Sequence, residues 1–170
     1  MSFIPEDRLG MGLAPSMSIT DNMILKKYND TKGPFVDRKI ARQDAEEVIR
    51  NLEVVTPSAE IPVRRLSGGN VQKVLVGREI ASAPRVLLTA YAVRGLDINS
   101  SHLIYDLLNQ QKQNGVAVIY VGEDLDVLLE LCDRILVLCA GKVSGIVPGK
   151  GAQKHDVGMM MTRLGGVSNE

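Results

Sequence analysis

The stretch of sequence that decides the fold is residues 66–73, which read Leu-Ser-Gly-Gly-Asn-Val-Gln-Lys. Ser67 is a favourable helix N-cap, because its hydroxyl can accept a hydrogen bond from a backbone N–H two or three residues later. Gly68 and Gly69 carry no Cβ, so a ligand can approach their backbone closely. The free N–H groups of such a helix start attract anions, phosphate above all. Taken alone, the segment fits an ordinary capped helix as well as it fits an anion-binding helix start. The surrounding sequence must distinguish between the two.

The region before this helix is also predicted to be helical. Ser18 or Thr20 can cap a short helix, and residues 29–34 form a turn-rich break after it. Asp37 then caps a longer helix, whose apolar residues recur at the helical period of 3.6 (Ala41, Ala45, Val48, Ile49 and Leu52). We therefore predict a helical subdomain over residues 17–82, preceded by a strand end and loop over residues 1–16.

Strands and helices alternate in the rest of the chain. Apolar runs at residues 86–88, 116–121, 135–138 and 143–147 indicate strands. Helices are predicted from Ser100 or Ser101 and from Asp124, because leucines recur on one face after each. This alternation predicts a parallel α/β sheet with right-handed crossovers over residues 83–164. Residues 165–170 are predicted to be a frayed tail.

The composition argues against several functional classes. The 170 residues include 20 Lys and Arg and 20 Asp and Glu, so no net positive field favours nucleic acid. Two cysteines without a nearby histidine indicate neither a disulfide framework nor a metal site, and they fit a reducing cytoplasmic compartment. No apolar run reaches the length of a membrane span, and no signal peptide is read at the N-terminus. A membrane role is therefore expected only as a peripheral subunit.

Three groups of residues together resemble the ATP-binding subunits of ABC transporters. Residues 66–70, followed by Gln72 and Lys73, are similar to the signature motif of that family. A run from residue 85 to Asp97 follows at the family's spacing, and residues 3–8 resemble the second ATPase half of sugar and nucleoside importers. The resemblance covers nearly the whole chain. It implies the C-terminal part of a second nucleotide-binding domain with a partial P-loop NTPase-like fold, in which a helical subdomain precedes a mostly parallel sheet with flanking helices.

The resemblance also implies a role for particular positions. Glu6 stands at the Q-loop position, where most members have glutamine, although a charged surface loop is the simpler interpretation of residues 1–16. Asp97 matches the D-loop aspartate, and Glu123 stands where the family has its switch histidine. A negative Glu123 could not donate a hydrogen bond to a γ-phosphate. The signature residues would contact an ATP held by a partner: Leu66, Ser67, Gly68, Gly69, Asn70 and Gln72.

The residues that would bind and hydrolyse the chain's own ATP are missing or replaced. No Gly-x-x-x-x-Gly-Lys-Ser/Thr phosphate loop occurs. Its nearest match, residues 145–151, is one residue short and contains a proline, so we interpret it as a turn. Ala90 and Tyr91 occupy the Walker B positions of the Mg²⁺ ligand and the catalytic glutamate. Alanine cannot bind a metal, and tyrosine is a poor base near neutral pH, so we expect no catalytic residue and no metal ligand in this chain.

The leading hypothesis is therefore a fragment of an importer ATP-binding subunit that supplies its signature to a composite site. ATP and Mg²⁺ would be held by the P-loop of a second nucleotide-binding domain, with membrane permease subunits as further partners at the cytoplasmic face of the cell membrane. The alternative is a non-catalytic interaction module or gene remnant that keeps the fold for docking only. Because the predicted sheet lacks N-terminal strands, we also expect an exposed apolar edge and self-association.

Overall fold

A computed structural model describes residues 1–28 and 37–162 of the chain. The predicted break at residues 29–34 and the predicted tail at residues 165–170 lie outside the described residues. Packing divides the chain into two compact units, Met1–Val121 and a second that begins at Gly122. The boundaries at residues 16, 82 and 164 stay predictions. Within the described ranges, no helix is both long and apolar enough to span a bilayer.

The first unit combines a parallel sheet with helices. Its helix α1 (Ile19–Lys27) is capped by Ser18, whose Oγ accepts from the backbone N–H of Asp21 at 3.0 Å, and α2 (Arg38–Asn51) is capped by Asp37. Both caps confirm the sequence prediction. Asp7 caps a short helical turn inside a segment predicted to be loop, because its carboxylate accepts the Gly10 N–H. The elements in chain order are β1 (Ser2–Ile4), this turn (Arg8–Gly12), α1 (Ile19–Lys27), α2 (Arg38–Asn51), a 3₁₀ turn (Val63–Arg65), α3 (Gly68–Ala81), β2 (Val86–Ala90), α4 (Ile98–Gln113) and β3 (Ala117–Val121).

The sheet of the first unit has the strand order β1-β2-β3, with both pairs parallel. This agrees with the predicted α/β class. In chain order, α3 lies between β1 and β2 and α4 lies between β2 and β3, and all three strands run in the same direction. Ile4 and Leu87 are completely buried, whereas Phe3, Ile119 and Val121 are 37%, 53% and 42% exposed. Apolar residues are thus accessible on this sheet, and the expected self-association stays a prediction.

The second unit contains an antiparallel hairpin. Its elements are α5 (Leu125–Leu131), β4 (Arg134–Cys139), β5 (Lys142–Pro148) and α6 (Lys154–Thr162). The predicted strands are present, but β4 and β5 pair with each other antiparallel instead of extending a parallel sheet. The connection explains this, because two residues, Ala140 and Gly141, join them, and such a turn links only antiparallel neighbours.

A buried carboxylate ties several elements of the first unit together. Glu79, on α3, is completely buried, and its Oε2 accepts from the backbone N–H of Phe3 at 3.3 Å and pairs with Lys26 Nζ at 2.9 Å. Its Oε1 accepts from Arg78 Nη2 at 2.7 Å. Arg78 also donates to the carbonyl oxygen of Gly12 at 2.7 Å. The position of α3, and hence of its N-terminus, is therefore fixed by hydrogen bonds to β1, α1 and the loop between them.

Candidate functional site

The N-terminus of α3 is an exposed tip built from Ser67, Gly68 and Gly69. Ser67 has extended backbone angles and caps the helix, since its Oγ accepts from the Asn70 backbone N–H at 3.4 Å and from Asn70 Nδ2 at 2.9 Å. Ser67 and Gly68 are exposed, and Gly69 is half-buried. The predicted N-cap is therefore confirmed, and the two glycines are accessible from solvent.

Asn70 holds this tip against the preceding loop. Its Oδ1 accepts from the backbone N–H of Val55 at 2.9 Å, while its Nδ2 donates to Ser67. Lys73, one turn later, donates to the carbonyl oxygen of Glu53 at 3.2 Å. Half-buried Leu66 donates its backbone N–H to the Val63 carbonyl at 3.1 Å. In this structure the amide of Asn70 therefore makes intramolecular bonds that position the tip.

Gln72 does not lie with the other polar groups of the tip. Gln72 is 1% exposed, and among the described residues neither its Nε2 nor its Oε1 has a hydrogen-bond partner. The sequence interpretation placed Gln72 beside the exposed helix start, and the structure corrects this placement. The reason is packing, since α3 is enclosed by its neighbours from Val71 onward.

The start of α4 meets the tip of α3. Asp97 caps α4, with Oδ1 accepting from the Ser100 backbone N–H at 2.9 Å and Oδ2 accepting from Ser100 Oγ at 2.7 Å. Both bonds lower the pKa of the Asp97 carboxyl below its ordinary value, and the bond from the Ser100 backbone N–H has the larger effect. A Cβ added to Gly69 would lie 3.4 Å from Ser100 Oγ and 3.8 Å from Asp97 Oδ2. The structure thus brings Asp97 to the signature residues, and Asp97, rather than Ser100 or Ser101, begins the helix.

The two residues predicted to occupy the Walker B positions carry no carboxylate. Ala90 is the last residue of β2, and Tyr91 follows it with a φ of 52° and donates its backbone N–H to Val121 at 2.9 Å. The guanidinium carbon of Arg94 lies 5.8 Å from the centroid of the Tyr91 ring. Within the described part of the chain, no group of three or more His, Cys, Asp or Glu residues is arranged to hold a metal ion.

Glu6 lies in the loop after β1 and forms an ion pair with Arg94. Arg8, two residues later, donates from Nη2 to the Arg94 carbonyl oxygen. A cleft of about 350 Å³ separates this loop from the start of α3, and Glu6, Arg8, Leu66 and Gly68 line it. Sequence reasoning gave no role to Arg8 or Arg94. In the sequence, the one indication of a role was that Arg8 lies in residues 3–8 and Arg94 in the run from residue 85 to Asp97, both of which resemble the family.

Glu123 belongs to the second unit. It is exposed and directly precedes Asp124, which caps α5 by accepting the backbone N–H of Asp126 at 3.0 Å. The structure therefore brings together Glu6, the signature residues, the Walker B positions and Asp97 within one unit.

The chain is similar to bacterial sugar-import proteins. It is 37% identical over 145 residues to the xylose import ATP-binding protein XylG of Moorella thermoacetica, a match that covers 85% of this chain and 29% of that protein. It is 31% identical over 167 residues to the galactose/methyl galactoside import ATP-binding protein MglA of Clostridium tetani, covering 96% and 33%. The chain thus spans about a third of the length of these relatives. No protein-family model matches it.

Solved ATP-binding cassettes share the fold. The dimeric cassette MJ0796 in a post-hydrolysis state bound to ADP and Pi has a TM-score of 0.75 and 24% sequence identity, covering 89% of this chain and 63% of that chain. A second dimeric structure of MJ0796, a bacterial ABC transporter cassette, gives the same TM-score and covers 64% of that chain. At this level of identity the similarity shows the fold.

Proposed function

Because the chain belongs to the ABC-transporter ATP-binding proteins and its relatives serve sugar import, we propose that it completes a shared ATP site with a second nucleotide-binding domain. The site would energise sugar or nucleoside uptake through membrane permease subunits, with this chain at the cytoplasmic face of the membrane. The observation that carries the proposal is the exposed tip of α3, where Ser67 and Gly68 are accessible beside Asp97.

The tip has the chemistry that a phosphate requires. The first N–H groups of an α-helix have no intrahelical acceptor, and the helix dipole adds about half a positive charge there. Gly68 and Gly69 are the first two residues of α3 and add no side chain to block an approaching phosphate. The Asn70 N–H already bonds to Ser67. The glycine N–H groups and the Ser67 hydroxyl are therefore the groups proposed to contact the ATP of a partner.

We expect the isolated chain to show no Mg·ATP hydrolysis. Its sequence has no phosphate-loop motif, and Ala90 and Tyr91 provide neither the Mg²⁺ ligand nor the base. Phosphate release should therefore equal the buffer blank, with a purified P-loop-bearing ATPase as the positive control. Turnover that co-elutes with the chain through two different chromatographic steps would contradict this expectation.

Ser67→Arg should weaken an ATP-dependent complex with a P-loop-bearing partner by at least about tenfold, because a long cation would occupy the space of the phosphate. A purified ATP-binding cassette that carries a P-loop serves as the partner, and sedimentation velocity with and without ATP measures the complex. Gln113→Arg is the matched control. It adds the same side chain at the C-terminal end of the 16-residue helix α4, whereas the tip of α3 meets the N-terminal end of that helix.

Gly69→Ala is a second variant for the same experiment and makes a smaller change at the tip. The added methyl group would make only ordinary van der Waals contacts, so the fold should tolerate it. A weaker complex would therefore report on access to the tip. Equal ATP-dependent complex formation by the wild type and Ser67→Arg would rule the proposal out.

Docking without nucleotide is the second candidate function, favoured by the exposed Phe3, Ile119 and Val121 on the sheet. It predicts a complex that forms equally well with and without ATP and that Ser67→Arg leaves unchanged. The same sedimentation series therefore distinguishes the two functions.

A further inference from the structure

The cleft beside the α3 tip contains a cation that the resemblance did not assign. Arg8 reaches across the cleft, and its Nη1 lies 3.3 Å from the place where a Cβ on Gly68 would be. The guanidinium is therefore next to the first residue of α3, on the side of the tip that faces the loop after β1. Among the described residues that line the cleft, Arg8 is the one cation.

The charge of Arg8 is not neutralised by a carboxylate. Its bond in the structure goes to the Arg94 carbonyl oxygen, and within residues 1–28 and 37–162 no carboxylate lies within ion-pair distance of it. Partial burial lowers its pKa below the ordinary value, which reflects the cost of holding a cation away from water. The positive end of the α3 dipole lies beside it. An anion bound between them would stabilise both positive groups.

The two acidic neighbours of Arg8 in sequence are already engaged. Asp7 Oδ1 accepts the Gly10 N–H at 2.8 Å, and the Glu6 carboxylate pairs with Arg94. Arg94 therefore makes two contacts here, since its side chain pairs with Glu6 and its carbonyl oxygen accepts from the Arg8 guanidinium.

We propose that Arg8 contacts the terminal phosphate of the nucleotide at the α3 tip, and that Arg94 is a positioning residue that keeps Arg8 available for it. This inference rests on the proposed function, because it adds a side chain to the same shared site. It implies that the loop after β1 helps to bind the partner's ATP together with the signature residues.

Inorganic tripolyphosphate is the probe, titrated into the full 170-residue chain and followed by the amide NMR shifts of Gly68 and Gly69. Arg8→Ala should weaken binding by about fivefold or more, since a charge-assisted hydrogen bond is lost, and Arg8→Lys should recover part of it. Arg65→Ala is the matched control, because it removes an exposed arginine outside the cleft lining, and should change affinity by less than about twofold.

The role of Arg94 has a test of its own. Arg94→Ala should also weaken binding, because it releases Glu6 to pair with Arg8, and adding Glu6→Gln should restore the affinity. A purely structural role of Arg94 would show no such restoration. Unchanged binding by Arg8→Ala, with binding abolished by Ser67→Asp, which adds a negative charge at the tip, would overturn this inference and leave the proposed function standing. Tripolyphosphate binding that neither variant changes, or no binding by the wild type, would overturn this inference, whereas the proposed function is decided by the ATP-dependent complex.

Discussion

Replacing Glu79 with alanine should lower the free energy of unfolding by about 3–5 kcal/mol, the range measured when one partner of a buried ion pair is removed. The carboxylate is fully buried and accepts from Phe3 and Arg78 while pairing with Lys26. Its loss would leave the Arg78 side chain, which is 7% exposed, without a counter-charge. A change of this size is a large fraction of the stability of an ordinary domain.

Urea denaturation followed by circular dichroism measures this effect. Glu46→Ala is the matched control, because Glu46 pairs with Arg42 on the surface of α2, where both side chains are more than half exposed (52% and 62%). Exposed pairs of this kind contribute about 0.5 kcal/mol or less. Similar losses from the two substitutions would show that the buried network does not anchor α3.

Gly149→Ala should destabilise the second unit by more than about 3 kcal/mol, at or beyond the upper end of typical overpacking costs. A Cβ at this position would lie 1.7 Å from the carbonyl oxygen of Cys132, which is backbone and cannot rotate away. The Gly149 N–H also donates to the Asp133 carbonyl at 2.9 Å, so the segment is held in place. Glycine is required here because β5 ends against the start of β4.

Gly158→Ala is the control for that substitution. Gly158 lies within α6, and its added methyl group would meet only Leu125 at 3.8 Å, an ordinary contact. Alanine is the better helix former, so a gain of about 0.5–1 kcal/mol is expected. Thermal unfolding of both variants, followed by far-ultraviolet circular dichroism, compares them, because all four tyrosines lie before residue 122 and do not report on the second unit. A stable Gly149→Ala protein would contradict the close approach to Cys132.

Residues 145–151, whose spacing is similar to that of a P-loop, were predicted to be a turn, and this is correct only for residues 149–151. The structure places Gly145 and Pro148 in β5, and residues 149–151 form the turn that follows. A phosphate cradle requires a loop between a strand and a helix start. Here a strand occupies the positions where the loop would have to be.

Features that depend on local chemistry were predictable from the sequence. Ser18, Asp37 and Ser67 each act as the helix cap that their residue type predicts, because an N-cap bond closes within three residues. The helical period likewise identified Ala45 and Val48 as buried residues of α2. These signals involve neighbours in sequence, which a single chain displays directly.

Features that depend on distant residues were not predictable in the same way. The Glu6–Arg94 ion pair joins residues 88 positions apart, and no local pattern marks either of them as a partner. The burial of Gln72 also depends on elements that pack around α3, and a polar residue next to a capped start suggests exposure. The antiparallel pairing of β4 with β5 was the intermediate case, since both strands were predicted from their apolar runs but the direction of their pairing was not.

The parallel pairing of β1 with β2 has a consequence for synthesis on the ribosome. Ser2 and Ile4 find their strand partners, Leu87 and Thr89, only after about half of the chain has been made. At about 5–20 residues per second, the amino-terminal strand waits about 4–17 s before the neighbouring strand exists. During translation α1, α2 and α3 are therefore made before β2 can pair with β1.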